Sequence, residues 1–371
     1  MGIAVWGAGK FGKFVIRQLM NNSNIQVKCV IDRRADELEE VSGIPVVSPK
    51  SFKEKFSGDV EAVLVAFMNG VSAIKELKGL GIGKIGIISN LAYRYGAALE
   101  DNIWEDSQII WSENVNENLP ILSILETNVV DYCNLNCKGC SHFSNIFTNG
   151  SEVAFEDFER DIQYLSKKIN IVQFNLLGGE VFLSSDLEKY INCLEKYMPA
   201  TVIQLVTNGI LIPKQSPERM RFLAENNIYV SITEYPPVTP MKEKIREILT
   251  GYGIHFEMRQ AVATFGKNID VSGDNDPWEA QRTCRESGCH FLRNGKIYKC
   301  PFSALGNYFF KHYNISLHFE EGIDIYNREN DWKEIIDNLD RKPVEQCKFC
   351  GVEERFPWAV STQPVKEEWM I

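Results

Sequence analysis

The chain has 371 residues, of which 44% are hydrophobic and 24% are charged, and its formal net charge is −10. This length predicts two or three domains, and the composition is that of a folded globular protein. The acidic balance excludes a function built on non-specific binding to nucleic acid or anionic membranes, because both need a basic face. No apolar run reaches the roughly 20 residues of a membrane span, and the N-terminus lacks a signal-peptide pattern, so we expect a cytoplasmic protein.

Short apolar strands alternate with helix patterns near the N-terminus. The strands are predicted over 3–6, 27–31, 62–66 and 85–88. This alternation indicates a parallel sheet with helices on its faces. A polar, Asn-rich stretch near 100–118 then marks a domain boundary. The first domain is therefore predicted over 1–112.

A glycine-rich loop with Gly7, Gly9 and Gly12 follows the first strand, and Asp32 ends the second strand. At such a loop the helix N-terminus receives a phosphate and the carboxylate binds ribose hydroxyls. The segment resembles small Rossmann-like domains attached to sugar-modifying and nucleotide-sugar enzymes. It is therefore expected to bind a nucleotide or a nucleotide-sugar. The alternative is a degenerate fold that serves only interaction or oligomerisation.

A second alternating series covers residues 118–270. Its strands are predicted over 121–130, 171–177, 202–206, 228–232 and 254–258. The series is long for a mononucleotide-binding fold and short for a full eight-fold barrel. We therefore predict an α/β chain with a partial (β/α)6 TIM-type barrel at its centre. Within this series, Thr239 before Pro240 predicts the start of a helix.

The ten cysteines are the unusual feature of the composition. Structural disulfides are rare in a reducing compartment, so clustered cysteines are interpreted first as metal ligands. The first cysteine set is Cys133, Cys137 and Cys140. The second cysteine set is Cys284, Cys289, Cys300, Cys347 and Cys350. Cys29 and Cys193 stand alone and are predicted to be small core residues.

The first cysteine set has the spacing C-x3-C-x2-C and follows the first strand of the second series. It is therefore expected at the carboxyl end of that strand, where α/β folds place their active sites. Three thiolates on one loop bind three of the four irons of a [4Fe–4S] cluster, which normally takes four cysteines. One iron stays open for an external ligand.

This motif resembles that of the radical S-adenosylmethionine (SAM) superfamily, and the resemblance covers about 118–265. It implies that Cys133, Cys137 and Cys140 are catalytic residues holding a [4Fe–4S] cluster whose open iron is chelated by SAM. Reductive cleavage of SAM then gives a 5′-deoxyadenosyl radical that abstracts hydrogen from a substrate. The resemblance also implies a set of SAM contacts at the ends of the next strands. They are Gly178, Gly179, Glu180, Thr207, Asn208 and Ser231.

One position departs from the family pattern. The family commonly has an aromatic residue just before the third cysteine, packed near the adenine, and here that residue is Gly139. Tyr132, His142 and Phe143 are the nearby rings that we expect to take over this contact.

The second cysteine set surrounds a predicted hairpin, because Asn294-Gly295 is a strong turn signal between apolar residues. The spacing resembles the twitch module, a shorter relative of SPASM. This implies a second, auxiliary [4Fe–4S] cluster in a C-terminal domain over 271–371. Four cysteines ligate such a cluster, and the sequence leaves open whether Cys284 or Cys289 joins the other three.

The resemblance implies hydrogen abstraction from a small, carbohydrate-like or nucleotide-sugar substrate, leading to oxidation or epimerisation. A reducing partner such as flavodoxin or ferredoxin is expected, and neither nucleic acid nor a membrane. One alternative is a peptide-modifying radical SAM maturase. Another is a non-catalytic binding protein in which zinc occupies the same cysteines, with His142 as a fourth ligand at the first set.

Overall fold

The computed structural model describes residues 2–20, 25–66, 71–88, 109–147, 151–259, 261–320 and 322–371. Near the N-terminus, the strands are β1 (Gly2–Trp6), β2 (Gln26–Ile31), β3 (Glu40–Val41), β4 (Ile44–Val47), β5 (Ala62–Val65), β6 (Ile85–Ile88) and β7 (Ile109–Trp111). The helices are α1 (Lys10–Met20), α2 (Pro49–Lys55) and α3 (Val71–Gly79). The central strands are parallel in the order β4-β2-β1-β5-β6, with β3 and β7 antiparallel at the edges. The four strands predicted here are confirmed. Residues 100–108 of the predicted boundary lie outside the described residues.

The second series begins with β8 (Ile121–Val130), β9 (Asn170–Gly178), β10 (Val202–Thr207), β11 (Tyr229–Ile232) and β12 (Phe256–Met258). These strands lie side by side, parallel and in chain order. They alternate with α4 (Phe155–Leu165), α5 (Leu187–Tyr197), α6 (Pro217–Glu225) and α7 (Lys242–Tyr252). The apolar faces of the helices and of one side of the sheet form the main hydrophobic core. The carboxyl ends of these strands consequently meet at one edge.

The helix predicted to start at Thr239 begins there as a 3-10 turn over Thr239–Met241, which leads directly into α7 at Lys242. The predicted cap by Thr239 is wrong. The Thr239 hydroxyl is hydrogen-bonded to Glu234 Oε1 at 3.0 Å and therefore does not cap a helix.

The other face of this sheet is polar although it is buried. Gln173 Nε2 donates to Asn175 Oδ1 at 2.7 Å and to Gln204 Oε1 at 2.9 Å. Asn175 Nδ2 donates to Glu126 Oε2 at 3.2 Å. These side chains alternate along the strands with the apolar ones, as the two-residue period of a strand requires. The core sheet thus has one apolar face and one face able to hydrogen-bond.

The chain after β12 forms β13 (Thr264–Ile269), α8 (Pro277–Thr283), β14 (Phe291–Arg293), β15 (Lys296–Tyr298), α9 (Pro301–His312), β16 (Ile323–Asp324), α10 (Trp332–Arg341) and β17 (Cys350–Pro357). β14 and β15 form the predicted hairpin, with Asn294 and Gly295 in the left-handed region at φ values of 50° and 71°. β14 also pairs with β8, through Phe291 and Glu126, so the hairpin continues the core sheet. β13 and β17 form a separate antiparallel pair.

The N-terminal sheet packs at the beginning of the core strands. Ile110 and Val115 share an apolar cluster with Ile121 at the start of β8 and Val172 near the start of β9. β8 has 10 residues, which at about 3.3 Å per residue corresponds to roughly 30 Å. The N-terminal sheet therefore contacts the end of the core opposite to the first cysteine set. Every helix of the described part of the chain is too short or too polar to cross a membrane.

Candidate active site

The first cysteine set lies on the loop that follows β8. Asn136 and Gly139 have positive φ values of 50° and 66°, and these turns fold the loop back on itself. Burial and the charges of Glu180 and Cys140 raise the pKa of Cys133 to about 12. Burial and the charges of Cys140 and Cys133 likewise raise the pKa of Cys137. The three sulfurs are therefore close enough to repel one another as thiolates, and metal binding must release their protons.

The chemistry of the first cysteine set fits an iron–sulfur cluster, because cysteine thiolates are the ligands of its irons. A structural zinc site needs four nitrogen or sulfur ligands around one point. His142, the fourth zinc ligand of the alternative interpretation, has its Nδ1 atom 3.1 Å from Asn128 Oδ1, and burial lowers its pKa to about 4. Within the described residues, no group of three or more Cys, His, Asp or Glu side chains is arranged to hold a metal ion.

Gly178 and Gly179 allow the end of β9 to touch the beginning of this loop. A Cβ atom on Gly178 would lie 2.2 Å from the carbonyl oxygen of Val130, and one on Gly179 would lie 2.0 Å from that of Tyr132. The Gly179 N–H donates to Val130 O at 2.9 Å. No larger residue fits at either position, so the glycine pair is required by the protein itself.

The buried Glu180 carboxylate joins the ends of β9 and β10. Its Oε1 atom accepts hydrogen bonds from the Thr207 hydroxyl at 2.6 Å and the Phe182 N–H at 3.2 Å. Its Oε2 atom accepts from the Asn208 N–H at 2.8 Å. Burial raises the pKa of Glu180, while these donors act in the opposite direction. A contact between Glu180 and the SAM amino group stays a prediction.

The Asn208 side chain reaches the cysteine loop from the end of β10. Its Nδ2 atom donates to Asn134 Oδ1 at 2.8 Å and lies 3.7 Å from Cys133 Sγ. Thr207 and Asn208 therefore connect Glu180 to the ligand loop. The structure brings together this part of the predicted site.

Ser231 lies in a charged cluster at the ends of β11 and β12. Its hydroxyl donates to Glu257 Oε1 at 2.6 Å and accepts from Arg259 Nε at 2.7 Å. Glu257 is fully buried, and its Oε2 atom has no hydrogen-bond partner. Such an atom calls for a donor from a ligand or a water molecule. Sequence reasoning missed Glu257 and Arg259, although two charged residues alternating in an apolar strand are the pattern that indicates them.

The rings considered for the adenine contact have different environments. Phe143 is 1% exposed and packs against Phe309 at 5.1 Å between ring centroids, within an aromatic core. Core packing surrounds the ring, and its contact with the adenine stays a prediction. His142 is hydrogen-bonded as described above, and Tyr132 is half-buried. At Gly139 itself, a Cβ atom would lie 2.8 Å from both Glu368 O and Phe356 Cζ, so no aromatic side chain fits there.

Residues distant in sequence support the cysteine loop, and sequence reasoning missed them. Trp358 Nε1 donates to Cys137 Sγ at 3.3 Å, and Trp369 Nε1 donates to Cys140 O at 2.7 Å. More than two hundred positions separate the partners of each pair, and no local pattern indicates such contacts.

A buried ion pair also joins the loop to the hairpin. Arg293 Nη1 and Nη2 lie 3.1 and 2.7 Å from the two carboxylate oxygens of Asp131, and both side chains are buried. The Asp131 carboxylate additionally accepts from Asn128 Nδ2 and from the Ser151 hydroxyl. The hairpin thereby fixes the point where β8 turns into the cysteine loop.

The second cysteine set is assembled from separate elements. Cys284 follows α8, Cys300 precedes α9, Cys347 lies in the 3-10 turn Glu345–Phe349, and Cys350 begins β17. Burial and the charges of Cys300, Cys284 and Cys347 raise the pKa of Cys350. Desolvation, with smaller contributions from Glu286 and Cys347, raises the pKa of Cys284 to about 11. The structure thus places Cys284 beside the three cysteines expected from sequence, whereas Cys289 is buried at the base of the hairpin.

The Asp32 side chain is hydrogen-bonded to the backbone of the N-terminal glycine loop. The Ala8 N–H donates to Asp32 Oδ2 at 2.8 Å, and the Arg34 N–H donates to Asp32 Oδ1 at 2.9 Å. A Cβ atom on Gly12 would lie 1.7 Å from Gly7 O, so α1 can approach β1 only with glycine there, whereas Gly9 has no such neighbour. Asp32 therefore stabilises the loop through a hydrogen bond. Its contact with a ribose stays a prediction.

Comparison with known proteins finds a family that the central part of the chain resembles. Residues 127–274 match the radical SAM superfamily. GTP 3′,8-cyclase of Aquifex aeolicus (strain VF5) is 26% identical over 164 residues, which are 42% of this chain and 50% of that protein. The chain thus matches about half the length of this curated relative.

Two solved structures with bound AdoMet show low similarity to this chain. BtrN in complex with AdoMet and 2-DOIA aligns with 62% of this chain and 92% of its own, at 17% identity and a TM-score of 0.36. Native anSMEcpe with bound AdoMet aligns with 36% of this chain and 43% of its own, at 19% identity and a TM-score of 0.31.

Proposed function

We propose that this protein cleaves SAM reductively and uses the resulting radical to abstract hydrogen from a small substrate. The observation that carries the proposal is the mutual proximity of Cys133, Cys137 and Cys140 at the carboxyl end of β8, inside the radical SAM domain. When bound there, a reduced [4Fe–4S] cluster supplies the electron for SAM cleavage. The thiolates of the three cysteines hold it and leave one iron for SAM.

Other side chains around the cysteine loop are proposed to position the loop and to contact SAM. Glu180, through Thr207 and Asn208, keeps the ends of β9 and β10 in register with the ligand loop. Ser231, Arg259 and the unpartnered Glu257 Oε2 offer polar groups to the carboxylate, ribose or amino group of SAM. Tyr132 is the ring that we retain for the adenine, because Phe143 is occupied in the core.

We propose that Cys284, Cys300, Cys347 and Cys350 hold an auxiliary [4Fe–4S] cluster in a twitch-like domain over 271–371. The support is that the charges of these four thiols act on one another's pKa. In an oxidation, such a cluster would supply an acceptor for the second electron of the substrate. Flavodoxin or ferredoxin is the proposed donor to the catalytic cluster.

The substrate is proposed to be a carbohydrate-like small molecule that is oxidised or epimerised. Its support is chemical: the buried polar face of the sheet carries amide and carboxylate groups, which suit hydroxyl and amino substituents. The N-terminal domain over 1–112 is proposed to bind a nucleotide as a separate anchor. Its sheet packs at the opposite end of the core from the cysteine loop.

The test is anaerobic purification followed by turnover. We expect brown protein with about eight irons and eight sulfides per chain, for two four-iron clusters. Reductant and SAM should yield 5′-deoxyadenosine, and a panel of aminocyclitols and nucleotide-sugars should include one compound that raises it above background. A colourless protein containing only zinc would contradict the proposal. Stimulation by peptides alone would favour a peptide-modifying maturase.

A further inference from the structure

The indole of Trp358 is held against a sulfur of the first cysteine set. Its Nε1 atom lies 3.3 Å from Cys137 Sγ. The Trp358 backbone N–H donates to Ala263 O at 3.0 Å, and its ring stacks on Tyr235 with centroids 6.0 Å apart and planes 30° apart. Both contacts fix the direction of the indole N–H, which can only donate hydrogen bonds. The donor is therefore oriented before any cluster binds.

The chain around Trp358 also closes over the cysteine loop. We call residues 356–361 the clamp segment. The Lys138 N–H donates to Ala359 O, and the Ser361 N–H donates to Asn136 O, both at 2.8 Å. These bonds flank a bridge between Cys137 and Val360. The backbone on both sides of Cys137 is thus paired with the clamp segment, so the indole cannot move independently of the sulfur.

The clamp segment begins with the last two residues of β17 and extends beyond that strand, whose first residue is Cys350. The strand that carries one cysteine of the second set therefore delivers the hydrogen-bond donor to the first set. Because Cys350 and Trp358 lie on one continuous stretch of chain, the position of Trp358 depends on how the region around the second cysteine set folds.

We propose that Trp358 is a positioning residue that raises the reduction potential of the cluster bound at the first cysteine set. The inference rests on the proposed function, because it requires a cluster ligated by Cys137. Hydrogen bonds to ligand sulfurs are one determinant of iron–sulfur potentials. The reduced cluster carries the greater negative charge, and an N–H dipole directed at a thiolate stabilises that charge. Removing the donor must therefore make the cluster harder to reduce.

The first experiment compares two tryptophan-to-phenylalanine variants of the full holoenzyme. Trp358→Phe keeps a ring to stack on Tyr235 and removes the N–H. Trp278→Phe is the matched control, because Trp278 is 60% exposed on α8. Redox titration followed by EPR gives the midpoint potential of the cluster whose signal changes when SAM is added. We expect a more negative potential in Trp358→Phe only; a potential equal to that of the control would overturn the proposal.

A second experiment uses unchanged wild-type protein, so it does not depend on how a variant folds. Tryptophan labelled with ¹⁵N at the indole is incorporated, and the reduced, SAM-sensitive cluster is studied by pulsed EPR. A ¹⁵N coupling is expected in the wild-type cluster signal, and its absence would refute the assignment. If wild type shows no SAM-sensitive cluster at all, the proposed function itself fails. A merely structural role would lower iron content without shifting the potential of the cluster that remains.

Discussion

In both cysteine sets the thiols lie near one another, but the two sets are assembled differently from the sequence. The first set lies within one short loop after β8, whereas the second set combines residues between α8 and α9 with residues after α10. In both sets, neighbouring thiols raise one another's pKa. A compact motif therefore indicates in the sequence which residues are the ligands, but not which residues hold the loop in position. The first set depends on Glu180, Arg293 and Trp358, which come from other parts of the fold.

Removing the first set should have the largest effect. The triple variant Cys133→Ala, Cys137→Ala, Cys140→Ala is expected to reduce 5′-deoxyadenosine to background while keeping about half of the iron. Cys29→Ala is the matched control, since burial makes this lone thiol inert and raises its pKa to about 12. Iron analysis and product chromatography provide the measurements. If the triple variant still cleaves SAM, the two sets cannot have the separate roles proposed.

The pair Cys284→Ala and Cys289→Ala sharpens the definition of the second set. The Cys284 variant should lose the auxiliary cluster, about four irons per chain, yet still cleave SAM. The Cys289 variant should keep wild-type iron, because Cys284 is the ligand that we propose beside Cys300, Cys347 and Cys350. Iron content and EPR of the reduced proteins distinguish the two. The reverse pattern of iron loss would transfer the ligand role to Cys289.

Asp131→Asn tests how strongly the first loop depends on the hairpin that precedes Cys300. This variant leaves the Arg293 charge buried without its partner, which should lower the free energy of unfolding by about 3–5 kcal/mol. Glu218→Gln, which disrupts an exposed pair with Arg221, should change it by less than about 1 kcal/mol. Urea unfolding measures both. Equal effects would show that the buried pair does not couple the two regions.

The smallest expected effect is that of Glu180→Gln. The amide nitrogen cannot accept a hydrogen bond, so at least one of the three donors loses its partner, at a cost of about 1–3 kcal/mol. The exposed Glu156→Gln on α4 serves as control. Thermal unfolding and iron retention are measured together. Unchanged iron retention in Glu180→Gln would mean that the first loop does not need this support.

Sequence reasoning succeeded where information is local. Buried strands such as Ile171 to Leu177, the hairpin turn at Asn294-Gly295 and the spacing of the first set are each contained in a few neighbouring residues. It has no access to contacts between distant elements. The packing of Phe143 in the aromatic core is one such tertiary contact. The proposed choice of Cys284 over Cys289 and the hydrogen bond from Trp358 to Cys137 likewise depend on contacts that no spacing encodes.

The clamp segment has a consequence for the order of events during synthesis. Trp358 follows Cys137 by 221 positions, so translation produces the cysteine loop long before the residues that cover it. During that interval the three thiols are accessible to a cluster donor. In the finished chain Cys137 is only 8% exposed, and loading then requires local opening of the clamp segment. The late position of the clamp segment in the sequence therefore favours cluster delivery before the chain is complete.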